Sequence, residues 1–192
     1  VVAGAEAVGY KGLATFEFLR DSNGEFYFLE VNPRVQVEHT VTEMIAGVDL
    51  VSLGIKVAAG EPLPISQSDI QISGHAIQTR INAEDPFTLK PSPGRIWECH
   101  WPGGPGVRVD THSHTGYDMP PSFDSLLAKL IVWAPNRDEA LAKMDAALAE
   151  TIIIGVDTLI PLHRAIMSEP DFRNGNITIA YLDEHPGILD GV

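Results

Sequence analysis

Residues 13–20 alternate, with Phe16 and Phe18 on one side and Thr15 and Glu17 on the other, which predicts a β-strand. Asp21-Ser22-Asn23-Gly24 is a hairpin signal, and residues 25–31 read as the returning strand. Residues 40–59 have helical periodicity, with Thr40 or Thr42 as the expected N-cap and Gly60-Glu61-Pro62 as the stop. Residues 61–71 hold two prolines and few large apolar side chains, so they read as a linker. Beyond it the pattern changes to short β-rich runs at 74–81, 94–100, 106–112 and 126–133, separated by turns such as Pro91-Ser92-Pro93-Gly94. An amphipathic helix is predicted over about 137–151 and a second near 157–168, and Ile177 to Leu182 close the pattern. The expected architecture is α+β in two pieces, 1–65 and 72–185.

Composition narrows the function classes. The 192 residues suffice for one sizeable core or two small ones, and 44% hydrophobic with 20% charged residues is the usage of an ordinary globular chain. A net charge of -13 argues against a nucleic-acid partner, which calls for a basic surface. No apolar run is long enough to span a bilayer, and Val1-Val2-Ala3-Gly4 lacks the basic start and apolar core of a signal peptide. The chain starts without Met, from which we expect it to begin inside a longer protein. The single cysteine, Cys99, leaves no internal disulfide and reads as a packed small residue.

The densest chemistry lies in Phe28-Leu29-Glu30-Val31-Asn32-Pro33-Arg34-Val35-Gln36-Val37-Glu38-His39. If Asn23 and Gly24 are the central turn residues, Glu17 lies opposite Glu30 and Thr15 opposite Asn32, all on one face, with Phe16, Phe18, Leu29 and Val31 on the other. Facing carboxylates repel, and a divalent cation offsets that repulsion, with Asn32 as a neutral oxygen ligand. The plainer alternative is a solvated acidic face. If the chain stays extended past Asn32, then Arg34, Gln36 and Glu38 project to the same side. Arg34 offers a planar fork for an oxyanion, Gln36 adds amide hydrogen bonds, and Glu38 suits a general base. A surface Arg34–Glu38 ion pair is the alternative there.

Other features are weaker. His112 and His114 at strand spacing, with His100, suggest either an adventitious metal site or a wet loop lacking a full ligand set. Pro102-Gly103-Gly104-Pro105-Gly106 has no following Lys-Ser/Thr and reads as a hairpin turn rather than a phosphate loop. Asp124 follows Pro120-Pro121 and either is presented by a rigid loop or caps the next strand. Trp97, Trp101 and Trp133 read as core or interface.

Residues Phe28 to Glu43 closely resemble the signature of biotin carboxylases within the ATP-grasp superfamily. The likeness continues through Gly74-His75-Ala76-Ile77-Gln78-Thr79-Arg80-Ile81-Asn82-Ala83-Glu84-Asp85-Pro86, then Pro91 to Gly94, Pro120 to Ser125, and Ile177 to Leu182. It implies the C-terminal part of an ATP-grasp domain followed by a biotin carboxylase C-terminal α/β domain with a mainly antiparallel sheet. It implies a ligase that uses MgATP to activate bicarbonate as carboxyphosphate and then carboxylates biotin on a carrier protein or domain. By position, Glu17 and Glu30 would ligate Mg²⁺ or Mn²⁺ on the ATP phosphates, with Asn32 at a second metal. Arg34, Gln36 and the amide of Val37 would hold bicarbonate, and Glu38 would deprotonate it. Arg80 would bind biotin's ureido oxygen and stabilise its enolate, and Leu19 and Ile179 would pack near adenine.

The family's glycine-rich lid and phosphate-gripping lysines have no counterpart in these residues, so the chain alone is expected to be inactive. Leu159 after Thr158 departs from the family's usual Asn and touches only a local hydrogen bond. The resemblance further implies a homodimer contact near Arg108 and a cytoplasmic location in a bacterium or an organelle matrix in a eukaryote. The parent would be an acetyl-CoA carboxylase of fatty acid biosynthesis or a related biotin-dependent carboxylase. Another ATP-grasp ligase is disfavoured by the Arg80–Pro86 motif, and a non-catalytic module docking a carrier or second subunit is the alternative from a different class.

Overall fold

The computed structural model describes residues 1–190 and divides into two compact units, Val1–Ser73 and the part from Gly74 onward. The first unit holds a short helix α1 (Val2–Ala7) and the antiparallel hairpin of β1 (Thr15–Arg20) and β2 (Phe26–Asn32). The hairpin turn differs from the one expected. Asp21 Oδ1 accepts from Asn23 N–H (2.8 Å) and Glu25 N–H (3.0 Å), and Gly24 N–H donates to the Asp21 carbonyl. Ser22 and Asn23 are therefore the central residues, and Gly24 follows at φ 88°, a conformation open to glycine. This alone would misalign the carboxylates by one residue. A bulge opposite Glu17/Phe18 restores them, so that Thr15 faces Asn32 and Glu17 faces Glu30 as the spacing predicts. Past the bulge, Phe28 rather than Leu29 stands opposite Phe18, with ring centroids 5.8 Å apart.

The single helix expected over 40–59 is two helices, α2 (His39–Ala46) and α3 (Leu50–Ala58). Gly47 ends α2 in the left-handed conformation (φ 67°), and Asp49 starts α3 by accepting from Ser52 N–H at 2.8 Å. Glu38, rather than Thr40 or Thr42, occupies the N-cap position of α2, and Thr40 is fully buried. The expected linker contains one 3₁₀ turn, Gln67–Asp69, closed by a reciprocal Ser66–Asp69 capping box.

The second unit is built on a three-stranded antiparallel sheet in the order β3 (His75–Asn82), β8 (Leu126–Ala134), β6 (Val107–Thr111). Burial alternates along β3: Ile77, Thr79 and Ile81 turn inward while Arg80 is exposed. The central strand β8 is buried almost throughout, which suits its run of apolar residues. Helix α4 (Arg137–Glu150) covers the sheet. Leu141, Met144 and Leu148 pack there with Ile77, Ile81, Leu130 and Val132, and each such side chain contributes about 1.5–3 kcal/mol by leaving water. Asn136 caps α4 by accepting from Glu139 N–H and donating to Glu139 Oε1.

The run predicted at 94–100 divides into β4 (Gly94–Arg95) and β5 (Glu98–His100). β4 pairs with β7 (Asp118–Met119) and β5 with β9 (Ile152–Ile154), two strands the sequence pattern did not reveal. The switch falls at Ile96 and Trp97: Ile96 N–H donates to Tyr117, and Trp97 N–H donates to Ile154. A Cβ at Gly155 (φ 118°) would collide with the Arg95 carbonyl, so this crossing needs glycine. Pro102–Gly106 therefore joins strands of different sheets and is not a hairpin turn. The chain continues through α5 (Ile160–Ser168), α6 (Pro170–Asn174) and α7 (Tyr181–Glu184), of which α6 and the N-terminal α1 lie outside the elements predicted from the sequence. Mixed helix with antiparallel strands is the fold class expected.

Candidate active site

In the first unit the opposed carboxylates are gathered by two amides. Asn32 Nδ2 donates to Glu17 Oε1 (2.8 Å) and to Glu30 Oε1 (2.9 Å), and Gln36 Nε2 donates to Glu17 Oε1 (2.7 Å). Amide dipoles thus stand where like charges would otherwise repel. Gln36 Oε1 is buried without a hydrogen-bond partner, an acceptor held ready for a donor or cation. Arg34 Nη2 reaches Asn32 Oδ1 at 3.5 Å and Arg34 Nη1 the Val35 carbonyl at 3.3 Å.

The chain does not stay extended after Asn32. Pro33 lacks an N–H, Arg34 N–H folds back onto the Asn32 carbonyl (2.8 Å), and Val37 and Glu38 form a turn into α2. The period-two alternation of Arg34, Gln36 and Glu38 is lost, yet all three line one cleft of about 380 Å³ with Thr15 and His39. Compaction by the turn, not strand alternation, brings them together.

Two residues to which the sequence pattern assigns no role hold this turn. His39 Nδ1 lies 2.7 Å from the Gln36 carbonyl, and His39 Nε2 lies 3.9 Å from Glu43 Oε2. Glu43 is buried, and its Oε1 accepts from Leu50 N–H at 2.8 Å, which ties α2 to the start of α3. The i, i+4 spacing of His39 and Glu43 was the available signal. Leu19 lies two residues beyond Glu17 on β1 and is 48% exposed.

Arg80 and Ile179 belong to the second unit. Arg80 is exposed on β3, opposite Lys129 of β8, which in turn faces Asp110 of β6. Lys129 Nζ lies 3.2 Å from Asp110 Oδ2, and Arg108 reaches the same carboxylate with two nitrogens at 2.7 and 2.9 Å. Burial pushes the Asp110 carboxyl up, but the hydrogen bonds and charges of Arg108 and Lys129 outweigh it, and the result lies below the ordinary range. The Arg80 carbonyl accepts from the His163 Nε2, 2.9 Å away on α5. Ile179 is almost fully exposed, before α7.

The remaining candidates resolve simply. His112 and His114 flank Tyr117 edge-on, whereas His100 pairs with Glu150, so the three histidines form no common ligand set. Asp124 caps the start of β8 by accepting from Leu126 N–H. Trp101 packs on the main core, and Trp97 is exposed beneath Arg95. Cys99 packs on the smaller cluster around Ile96 and Leu127, and burial pushes its thiol up.

A carboxylate-bearing hairpin leading into a helix, followed by an antiparallel α+β domain, is the arrangement expected of an ATP-grasp fold. The family described as biotin carboxylase C-terminal domain matches residues 78–184, and carbamoyl-phosphate synthase L chain, ATP binding domain, matches residues 1–66. The chain belongs to the biotin carboxylase family. It is 52% identical to the biotin carboxylase of Haemophilus influenzae over 94% of its own length and 40% of that protein. It is also 52% identical to the chloroplastic biotin carboxylase of Arabidopsis thaliana, over 96% of this chain and 34% of that one. The chain thus spans 40% or less of the length of these relatives. Among solved structures, the biotin carboxylase domain of a thermophilic 2-oxoglutarate carboxylase bound to bicarbonate superposes with a TM-score of 0.97 at 49% identity, covering 100% of this chain and 43% of that one. A dimer of the Hydrogenobacter thermophilus domain with MgADP and bicarbonate gives the same TM-score and identity, with 42% of that chain covered. Among the described residues no helix is long and apolar enough to cross a membrane.

Proposed function

We propose that this chain supplies the metal-, bicarbonate- and biotin-binding portion of an enzyme that carboxylates biotin on a carrier protein or domain at the expense of ATP. Residues 1–65 would belong to its ATP-binding domain and residues 72–185 to its C-terminal domain. The carrying observation is the cluster in which Asn32 and Gln36 bridge the opposed Glu17 and Glu30 beside the cleft of Arg34 and Glu38.

The donor set fits a hard divalent cation: two carboxylates and an amide, with the Asn32 and Gln36 amide hydrogens placed against the negative charge. Glu17 and Glu30 would hold Mg²⁺ or Mn²⁺, with Asn32 turning its oxygen to a second ion. When bound, the ions supply positive charge that offsets the ATP phosphates. Arg34, Gln36 and the Val37 amide would orient bicarbonate, and Glu38 would take its proton. The freed oxygen then attacks the γ-phosphorus, the bond to ADP breaks, and carboxyphosphate forms. Carboxyphosphate releases CO₂, and the departing phosphate takes the ureido N–H proton of biotin. Arg80 would stabilise the resulting enolate, whose nitrogen attacks CO₂. Leu19 and Ile179 would contact adenine.

A homodimer is the assembly we assign, supported by the Hydrogenobacter thermophilus domain being described as a dimer, and the family resemblance puts its contact near Arg108. A bacterial cytoplasm or an organelle matrix is the compartment we assign, supported by bacterial and chloroplastic relatives.

A chimera tests the reading. This chain replaces the matching two-fifths of the Haemophilus influenzae biotin carboxylase, and biotin-dependent ATP cleavage is measured. The chimera should turn over, its E30Q, R34A and E38Q variants should lose at least about 100-fold, and the 192-residue chain alone should show no turnover. Full activity in the E30Q and E38Q chimeras, or turnover by the chain alone, would overturn the proposal.

A further inference from the structure

Among the described residues, one group of three metal-ligating side chains lies outside the site above: Glu169, Asp171 and His185, whose ligand atoms all lie within 4.8 Å of one another. Glu169 precedes α6, Asp171 lies in its first turn, and His185 follows α7. The Glu169 carboxylate is already oriented. Its Oε2 accepts from Phe172 N–H (2.8 Å) and from the Tyr181 hydroxyl (2.8 Å), which leaves Oε1 toward the imidazole. His185 Nδ1 lies 2.8 Å from the Tyr181 carbonyl, which can only accept, so Nδ1 carries its hydrogen and Nε2 is the atom directed at the carboxylates.

The separations point to a shared cation. His185 Nε2 stands 3.4 Å from Asp171 Oδ2 and 3.6 Å from Glu169 Oε1. A charge-assisted N–H···O bond is about 2.7–2.9 Å, so both contacts are too long for good hydrogen bonds. Tetrahedral ligands at about 2.0–2.1 Å from zinc lie about 3.3–3.4 Å from one another, close to the two separations from His185 Nε2, and the two carboxylate oxygens lie within 4.8 Å of each other. An imidazole nitrogen disfavours Mg²⁺ and Ca²⁺, while one nitrogen and two carboxylate oxygens suit zinc. The Tyr181 carbonyl on Nδ1–H and the Tyr181 hydroxyl on Glu169 are the outer contacts that hold zinc ligands in place. The half-exposed Asp171 side chain gives an ion access from solvent.

We infer that Glu169 Oε1, Asp171 Oδ2 and His185 Nε2 bind one zinc-type divalent ion with solvent as fourth ligand, and that this ion fastens α7 to the start of α6. The site is independent of the carboxylase function, which assigns no role to these residues.

The test uses the untagged 192-residue chain after chelator treatment. Zn²⁺ is titrated in competition with a chromophoric chelator, and Co²⁺ is followed by its visible absorption. One equivalent should bind, at least about 10-fold more weakly in Y181F and about 100-fold more weakly in H185Q. Co²⁺ should give four-coordinate d–d bands in wild type only, and Zn²⁺ should raise the melting temperature of wild type but not of H185Q. D171N, at a half-exposed position, serves as the second variant should H185Q fold poorly. Equal binding by wild type, H185Q and D171N, or loss of the equivalent in an H112Q/H114Q double variant, would overturn the assignment and leave a proton as the occupant.

Discussion

Replacing Asn32 by Asp tests whether amide hydrogens hold the opposed carboxylates together. In the wild-type chain Asn32 Nδ2 makes two hydrogen bonds to carboxylate oxygens, at 2.8 and 2.9 Å. Such bonds are worth about 1.5–3 kcal/mol each when well shielded, and solvent at the exposed Glu30 reduces this to about 1 kcal/mol each. Asp removes both and adds a third carboxylate, whose repulsion in a water-like dielectric is about 1 kcal/mol at 4 Å. N32D should therefore lose about 2–3 kcal/mol in metal-free urea unfolding of the first unit. Mg²⁺ should restore more in N32D than in wild type, because three carboxylates attract a hard cation more strongly than two. For a site with a dissociation constant on the order of 1 mM, 10 mM Mg²⁺ contributes about 1.4 kcal/mol. The assay is the urea midpoint with tyrosine fluorescence and far-UV circular dichroism, with and without Mg²⁺. An N32D chain as stable as wild type without metal, and indifferent to Mg²⁺, would refute the account of this cluster.

Two further outcomes follow from the second unit. Met144 is fully buried against the sheet and accepts a weak hydrogen bond from Thr79, so M144A should lower the unfolding free energy by about 2–5 kcal/mol, read as a shift in denaturant midpoint without a change in slope. Burial holds the His163 imidazole below its ordinary 6.5, against the opposite pull of its bond to the Arg80 carbonyl, so the unfolded chain takes the proton first. This contribution is complete above about pH 6.5 and is lost as the pH falls through the lower folded-state value. H163Q should flatten the difference curve below pH 6.5; an unchanged pH profile would show that His163 is solvated.

The sequence by itself determined the units of chemistry. Residue types and spacing sufficed to place Glu17 and Glu30 on the two strands of one hairpin, to single out Arg34, Gln36 and Glu38, and to distinguish a first stretch with a hairpin and helices from a β-rich second one. These follow from local periodicity, which a single strand or helix expresses whatever surrounds it. Tertiary structure decided the rest. The Glu17–Glu30 register depends on a displaced turn and a bulge at Leu29 that cancel, and neither has a signature in the strand pattern. Arg34, Gln36 and Glu38 converge because Pro33 and the Val37–Glu38 turn fold the chain into a cleft, where simple alternation would have spread them along a strand. The break at Gly47 was visible as a glycine, but only Asp49 capping a second helix shows that the chain uses it. The strand switch at Ile96 and the convergence of Glu169, Asp171 and His185 join residues distant in the chain, and periodicity carries no information about such contacts.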